Sequence, residues 1–235
     1  MKYMGGKSRI GKYIVPIMLR ERKPGQYFVE PFCGGCNITV LVDGPRIAGD
    51  VKKELIAFWR KVSKGWTPKL IRSKKEYDYY RAGNGDPAQR VWAATGASFR
   101  GVWFGSFVGY GPHSCGQDYQ TESLNWLKKH RNKLRGVKFY ARSYDDLRIP
   151  PRSIIYCDPP YKNTRGYESS KINDFDHAAF FDWCRKKAKE GHVVFVSEYE
   201  APSDFVCVWQ KEKFLSLSSG FSNKTVTEKL FLVKK

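Results

Sequence analysis

The sequence is poor in acids, in histidine, in paired cysteines and in long apolar runs, and each shortage excludes something. Asp and Glu number 23 against 42 Lys and Arg, a net charge of +19. A field of that sign favours polyanions, nucleic acid first and an anionic membrane surface second. Six cysteines are scattered through the chain, and only Cys33 and Cys36 are close in sequence. A structural zinc site normally needs a second pair, or histidines at ligand spacing. His113 and Cys115 are the sole other near neighbours, so no metal is expected. A disulfide scaffold is not expected at this length either, which leaves reduced thiols in a cytoplasmic protein, of a bacterium or a phage-infected cell. No apolar run is long enough to span a bilayer. The run over residues 13–19 superficially resembles a secretion signal, but it is short, holds Pro16 and leads into Arg20-Glu21-Arg22-Lys23. No small-residue cleavage site follows it. The expectation is a soluble, intracellular chain, monomeric in solution, with no membrane partner.

What is present is a globular composition, 41% apolar over 235 residues. That suits one large domain, or one domain carrying a smaller insert. A short amphipathic helix is expected over 8–19. A buried strand over 27–29 breaks at a glycine turn, with a helix from about Ile38. A second strand over 46–50 ends in an acid and precedes a helix over 54–62. This strand–turn–helix–strand rhythm is that of a doubly wound α/β fold. It stops near Lys64-Gly65-Trp66-Thr67-Pro68. From there to about Gly136 the chain is rich in aromatics and arginine. A helix is expected to begin at Asp86-Pro87, acid at the N-cap and proline at N1, and a long loop over 105–120 follows. The rhythm resumes with strands over 138–141 and 154–157, a helix over 175–190, a strand over 192–197 and a last strand over 228–233. The expected division is therefore 1–63 with 137–235 as one α/β domain, and 64–136 as a mostly helical insert.

Two stretches look chemical. In "EPFCGGCN" (residues 30–37), glycines after a first strand let backbone approach a ligand closely. Asp50, at the end of the second strand, can accept hydrogen bonds from ribose hydroxyls. A nucleoside-containing cofactor fits, and so does an ordinary turn with an acid at a helix start. The G-x-G-x-x-G fingerprint is missing, which disfavours a nicotinamide or flavin. The second stretch is "IIYCDPPY" (residues 154–161). Pro159 has no backbone N–H, and Pro160 holds Pro159 extended. Asp158 adds a carboxylate acceptor and Tyr161 a flat ring. Acceptors beside a stacking face suit a planar molecule with an exocyclic amine. A plain strand-end turn explains the prolines but not the acid and ring beside them.

Together, "KYMGGKSRIGKYI", "EPFCGG" and "DPPY" resemble the Dam-type (D12 class, α group) DNA adenine-N6 methyltransferases, in that family's order. "GDVKKELI", "ARSYDDL" and "SNKTVTEKLFL" resemble further family segments, the last weakly. The resemblance implies a class I S-adenosylmethionine-dependent methyltransferase fold with a mixed sheet and a DNA target-recognition insert. It implies that Tyr3, Lys7, Pro31, Phe32 and Gly34 contact S-adenosyl-L-methionine, that Asp50 holds its ribose, and that Asp158 faces both cofactor and target base. Without it, Lys7 reads as a solvated lysine beside a flexible Gly-Gly.

The implied chemistry is physically coherent. The exocyclic nitrogen of adenine is a poor nucleophile because its lone pair is delocalised into the ring. Asp158 and the Pro159 carbonyl would accept its two N–H bonds, with Pro160 and Tyr161 completing the catalytic segment and Tyr161 stacking on a base flipped out of double-stranded DNA. Arg100 stands where the family's "FNG" segment carries asparagine, and arginine reads guanine or phosphate. Lys128, Lys129 and Arg131, in "KKHRNKLR" (residues 128–135), suit phosphates, or merely a solvated helix face. Alternatives are a cytosine-N4 or an RNA methyltransferase, and a catalytically silent DNA-binding protein of the same fold.

Overall fold

The structure, a computed structural model, describes residues 1–113, 116–161, 175–215 and 224–234, with backbone alone at 213–215 and 224–225. A seven-stranded mixed sheet forms its centre. β1 (Phe28–Glu30) and β4 (Ile154–Cys157) are short and buried at every position, as expected where both faces of a sheet are covered. They lie side by side, parallel. β2 (Arg46–Asp50) pairs with β1, and β3 (Lys138–Ala141) with β2; on the other side β5 (Val193–Glu198) pairs with β4, all parallel. β6 (Phe205–Leu215) and β7 (Lys224–Val233) form a long antiparallel ladder, and β7 inserts beside β5, also antiparallel. The order is β3-β2-β1-β4-β5-β7-β6. It reverses direction between β1 and β4, and that switch point opens a crevice beyond their carboxyl ends.

Alternation along the strands sends residues to two opposite layers. Phe28, Ile154, Tyr156, Phe195 and Leu230 face α1 (Gly11–Leu19), packing on Ile14 and Met18. Val29, Ile155, Cys157, Val194 and Val196 face α6 (His177–Lys189), packing on Phe180, Cys184 and Ala188. α2 (Lys53–Ser63) buries Leu55, Phe58, Trp59 and Val62. These side chains share one core with Tyr77 of α3 (Lys74–Arg81) and with Val91 and Trp92 of α4 (Pro87–Thr95). The helical segment after α2 is thus welded to the sheet domain through α2.

The helix at Asp86-Pro87 forms as its sequence dictates. The Asp86 carboxylate accepts the backbone N–H groups of Ala88 and Gln89, both at 3.0 Å, and Pro87 needs no partner for a missing N–H. The helix expected from Ile38 does not form. One 3-10 turn, Thr39–Leu41, takes its place. Five residues, mostly β-branched, separate the glycine turn from Asp43-Gly44-Pro45, too few for a stable helix. Three elements exceed the expected set. α3 is a short, highly charged helix that buries one side chain, Tyr77; its start is marked by the cap, where Ser73 Oγ accepts from the N–H of Glu76. α5 (Tyr119–His130) begins inside the expected loop over 105–120, capped by Asp118. β6 is an edge strand with a bulge between Cys207 and Trp209, which breaks its alternation.

Two buried ionisable side chains, Arg46 and Glu30, fasten the fold around the glycine turn. Arg46, at the start of β2, donates to the carbonyls of Gly44 (3.1 Å), Thr39 (3.2 Å), Lys133 (2.6 Å) and Arg135 (3.2 Å). It ties the return of the helical segment to the sheet. Arg46→Ala leaves these carbonyls under-satisfied, and chemical unfolding is expected to show a loss of about 3 kcal/mol. Glu30, at the end of β1, accepts from the Thr39 N–H at 2.9 Å and from the Thr39 hydroxyl. Burial raises its carboxyl from the ordinary 4.5 to about 8. Between those values the folded chain holds a proton that the unfolded chain releases, so stability falls as pH rises from about 4.5 to about 8. Urea midpoints at pH 5 and pH 8 should differ more for the native chain than for Glu30→Gln, which keeps an acceptor but does not titrate.

Candidate active site

A cavity of about 260 Å³ lies beyond the carboxyl ends of β1, β2 and β4. Its floor is the turn after β1, where the backbone must pass close under a ring. Gly34 has φ +40°, and a Cβ there would sit 3.0 Å from Cε1 of Tyr3. A Cβ on Gly35 would sit 2.8 Å from the Tyr3 Cβ. Glycine is needed at both for the N-terminal segment to close over the turn. The Gly34 carbonyl is held from below by the Trp59 indole N–H at 2.8 Å.

Asp50 closes one end of this cavity. Its carboxylate accepts the backbone N–H of Gly34 (3.1 Å) and of Lys52 (3.0 Å), which lock β2 to the glycine turn. Each oxygen retains acceptor capacity toward the cavity. Burial raises this carboxyl above its ordinary value against those two bonds. Phe32 and Phe175 form an apolar wall with Tyr144: the Phe32 ring stacks on Tyr144 at 5.5 Å and meets Phe175 edge-on at 5.8 Å.

At the other end stand Lys7 and Asp158. The Lys7 ammonium lies 2.7 Å from Asp158 Oδ1, 3.2 Å from Glu228 Oε1 and 3.1 Å from the Gly5 carbonyl. Those three acceptors match its three N–H donors, and the side chain is 7% exposed. Burial disfavours its charge, but the two carboxylates outweigh burial and raise its pKa. Burial raises the Asp158 carboxyl, and Lys7 opposes the rise. The Lys7 ammonium also sits 4.7 Å from the centre of the Tyr161 ring, whose hydroxyl donates to Glu228 Oε1 at 3.2 Å. Lys7 is therefore the buried hub of the site, not a solvated lysine.

The site residues expected from sequence divide into two groups. Tyr3, Lys7, Pro31, Phe32, Gly34, Asp50, Asp158 and Pro160 line the one cavity. Pro159 is buried and Tyr161 stands behind Lys7, neither on the lining. Arg100, exposed and at φ +55°, lies beside the N-terminal segment, since the Met4 N–H donates to the carbonyl of Gly101 at 3.2 Å. Lys128, Lys129 and Arg131 gather at the far end of α5. There Arg131 donates to the Gly65 carbonyl (3.3 Å) and the Thr67 hydroxyl (3.1 Å), while the two lysines are exposed. The neighbouring 3-10 turn touches Arg46 at the start of β2, the end of the sheet away from the cavity.

Sequence reasoning gave no role to Glu30, Glu228 or Tyr144. Glu30 and Tyr144 line the cavity, and Glu228 shares Lys7. Glu30 had a signal, an acid at a strand end before the glycine turn. Glu228 had only the weak resemblance of "SNKTVTEKLFL" to a family segment. Among the described residues, no group of three or more His, Cys, Asp or Glu is placed to hold a metal ion, and no helix is long and apolar enough to cross a membrane. Cys115 lies outside the described residues.

Comparison with known proteins agrees with this geometry. The family model for the D12 class N6 adenine-specific DNA methyltransferases matches residues 3–84 and 110–230. Those spans contain the N-terminal segment, the glycine turn, Asp158 and Glu228. The chain is also similar to the Retron Ec67 DNA adenine methylase of Escherichia coli. The two are 23% identical over 228 residues, covering 84% of this chain and 75% of the relative. With a matching model over most of its length and a sheet order that places the family's motifs around one crevice, the chain belongs to the D12 class of N6 adenine-specific DNA methyltransferases.

Proposed function

We propose that the chain transfers a methyl group from S-adenosylmethionine to the N6 amine of an adenine flipped out of double-stranded DNA, with residues 64–136 reading the target. The observation that carries this reading is the placement of a buried, lysine-bound carboxylate, Asp158, at one end of a cavity whose other end is Asp50. The residues fit the cofactor. Asp50 offers acceptor capacity to ribose hydroxyls, the glycine turn leaves room for close backbone approach, and Phe32, Tyr144 and Phe175 form an apolar wall suited to a planar base. When bound, S-adenosylmethionine supplies a methyl group activated by its sulfonium.

The chain's own residues do the rest. Asp158 accepts one N–H of the target amine and the Pro159 carbonyl accepts the other, drawing the nitrogen toward a pyramidal form with a localised lone pair. Asp158 must be ionised to act so, and burial works against that. Lys7 counters burial by holding its ammonium 2.7 Å from the carboxylate. Glu228 takes part of the Lys7 charge and so keeps the lysine from neutralising Asp158 entirely. Positive charge developing on the amine is met by an acceptor already in place. The relative's printed name, a DNA adenine methylase, supports adenine as the target base.

Methyl transfer from labelled S-adenosylmethionine to DNA tests the reading. Asp158→Ala is expected to lower kcat at least about 100-fold while leaving DNA affinity within a few-fold; near-normal turnover would remove Asp158 from the mechanism. Lys7→Met releases burial to raise Asp158 further, so its activity should fail at higher pH than that of the native chain as pH is lowered. An unmoved acid limb would show that Lys7 does not set the charge of Asp158.

A further inference from the structure

A second cavity, of about 230 Å³, lies on the other side of Lys7 from the cofactor crevice. It shares Gly6 and Lys7 with the first, and its remaining walls are Arg9, Ile10, Lys211, Glu212 and Glu228. We propose that this cavity and its rim bind backbone phosphates of the DNA strand that delivers the target base, with Arg9 and Lys211 as the phosphate ligands. The inference rests on the methyltransferase reading above and adds to it a contact surface separate from the helical insert.

Four observations carry it. First, Gly6 and Lys7 line both cavities and so form the partition between them, and Glu228, bound to Lys7, lies on the second. A nucleotide whose base reaches Asp158 from outside the cofactor crevice would leave its sugar and phosphate on this side. Second, the cations here are available. Arg9 and Lys211 are exposed, and among the described residues neither enters an ion pair or side-chain hydrogen bond. Of the two acids on the lining, Glu228 is engaged by Lys7 and Tyr161, which leaves Glu212, exposed to solvent, as the one opposing charge. Third, aromatic surface adjoins the cations. Tyr13, 43% exposed, stacks on Trp209 at 6.5 Å, with the ammoniums of Lys12 and Lys211 at 4.9 and 5.1 Å from its ring centre. Rings interleaved with cations suit an unpaired strand beside an extruded base. Fourth, the N-terminal segment runs past the mouth of the crevice from the insert to this rim. It is bonded to Gly101 at Met4 and reaches the second cavity at Arg9. A duplex lying across that mouth meets the insert at one end and Arg9 with Lys211 at the other.

The test is an Arg9→Ala, Lys211→Ala double variant of the full chain, assayed for methyl transfer to long natural-sequence DNA at several salt concentrations. Each neutralised phosphate contributes a slope of about 0.9 to the fall of log affinity with log salt. Loss of two contacts should therefore flatten the salt dependence of kcat/KM by about 1.8. The KM for DNA should rise, while kcat at saturating DNA, the KM for S-adenosylmethionine and Tm should stay close to native. A native salt slope in a folded, active variant would overturn the proposal. Calorimetric titration with inorganic phosphate separates the source: loss of free-phosphate binding with an unchanged DNA slope would make this a small-anion site and overturn the DNA assignment. A native chain that transfers no methyl group to DNA would instead overturn the functional reading itself, an outcome distinguishable from both.

Discussion

The contact on which the site depends is the buried ammonium of Lys7, shared by Asp158, Glu228 and the Gly5 carbonyl. Three remote parts of the chain meet there: the N-terminal segment, the end of β4 and the last strand, β7. Two carboxylates this close and this buried would repel, and one would take up a proton, without a cation between them. Breaking such a cluster by removing one member typically costs about 3–5 kcal/mol, because an uncompensated charge stays behind. The cluster holds the segment over 158–161 in place, and in the proposed mechanism it keeps the Asp158 carboxylate an acceptor. Residues 158–161 are thus tied to the N-terminal segment, more than a hundred residues away.

A second constraint follows from the first. For Lys7 to reach Asp158, the N-terminal segment must lie tight on the turn after β1, and the contacts of Tyr3 with Gly34 and Gly35 leave no space for side chains there. The same segment is bonded to Gly101 of the helical segment after α2, and a Cβ at Gly101 would meet the Lys2 backbone at 2.7 Å. The first cavity, the Asp158 carboxylate and the helical segment therefore share one strip of backbone. The helical segment is further joined through α2, whose core residues share one cluster with Trp92 and Tyr77. A ligand that shifts residues 2–7 would be felt on both sides.

Much of this was legible in the sequence because it rests on local patterns. The central strands were short apolar runs, Asp86-Pro87 announced α4, and the order of the three motifs announced the family. What was hidden depends on distance or on edges. Lys7 read as a solvated lysine because nothing near it in sequence pairs with it; its partners are at 158 and 228. Glu30 is an unremarkable acid until burial raises its carboxyl to about 8. α3 is short and buries only Tyr77, and the bulge between Cys207 and Trp209 breaks the alternation of β6. The run over 128–135 read as phosphate contacts or a solvated helix face; Lys128 and Lys129 are exposed, and Arg131 donates to Gly65 and Thr67. Arg9 and Lys211, undistinguished in sequence, line the second cavity.

The central claim is that an ionised Asp158 accepts the amine of an adenine. It is tested most directly by incubating the chain with DNA and methyl-labelled S-adenosylmethionine, digesting to nucleosides and separating them. The account predicts that the label is recovered as N6-methyladenine. Label in N4-methylcytosine, or none in any nucleoside from the folded chain, would contradict it.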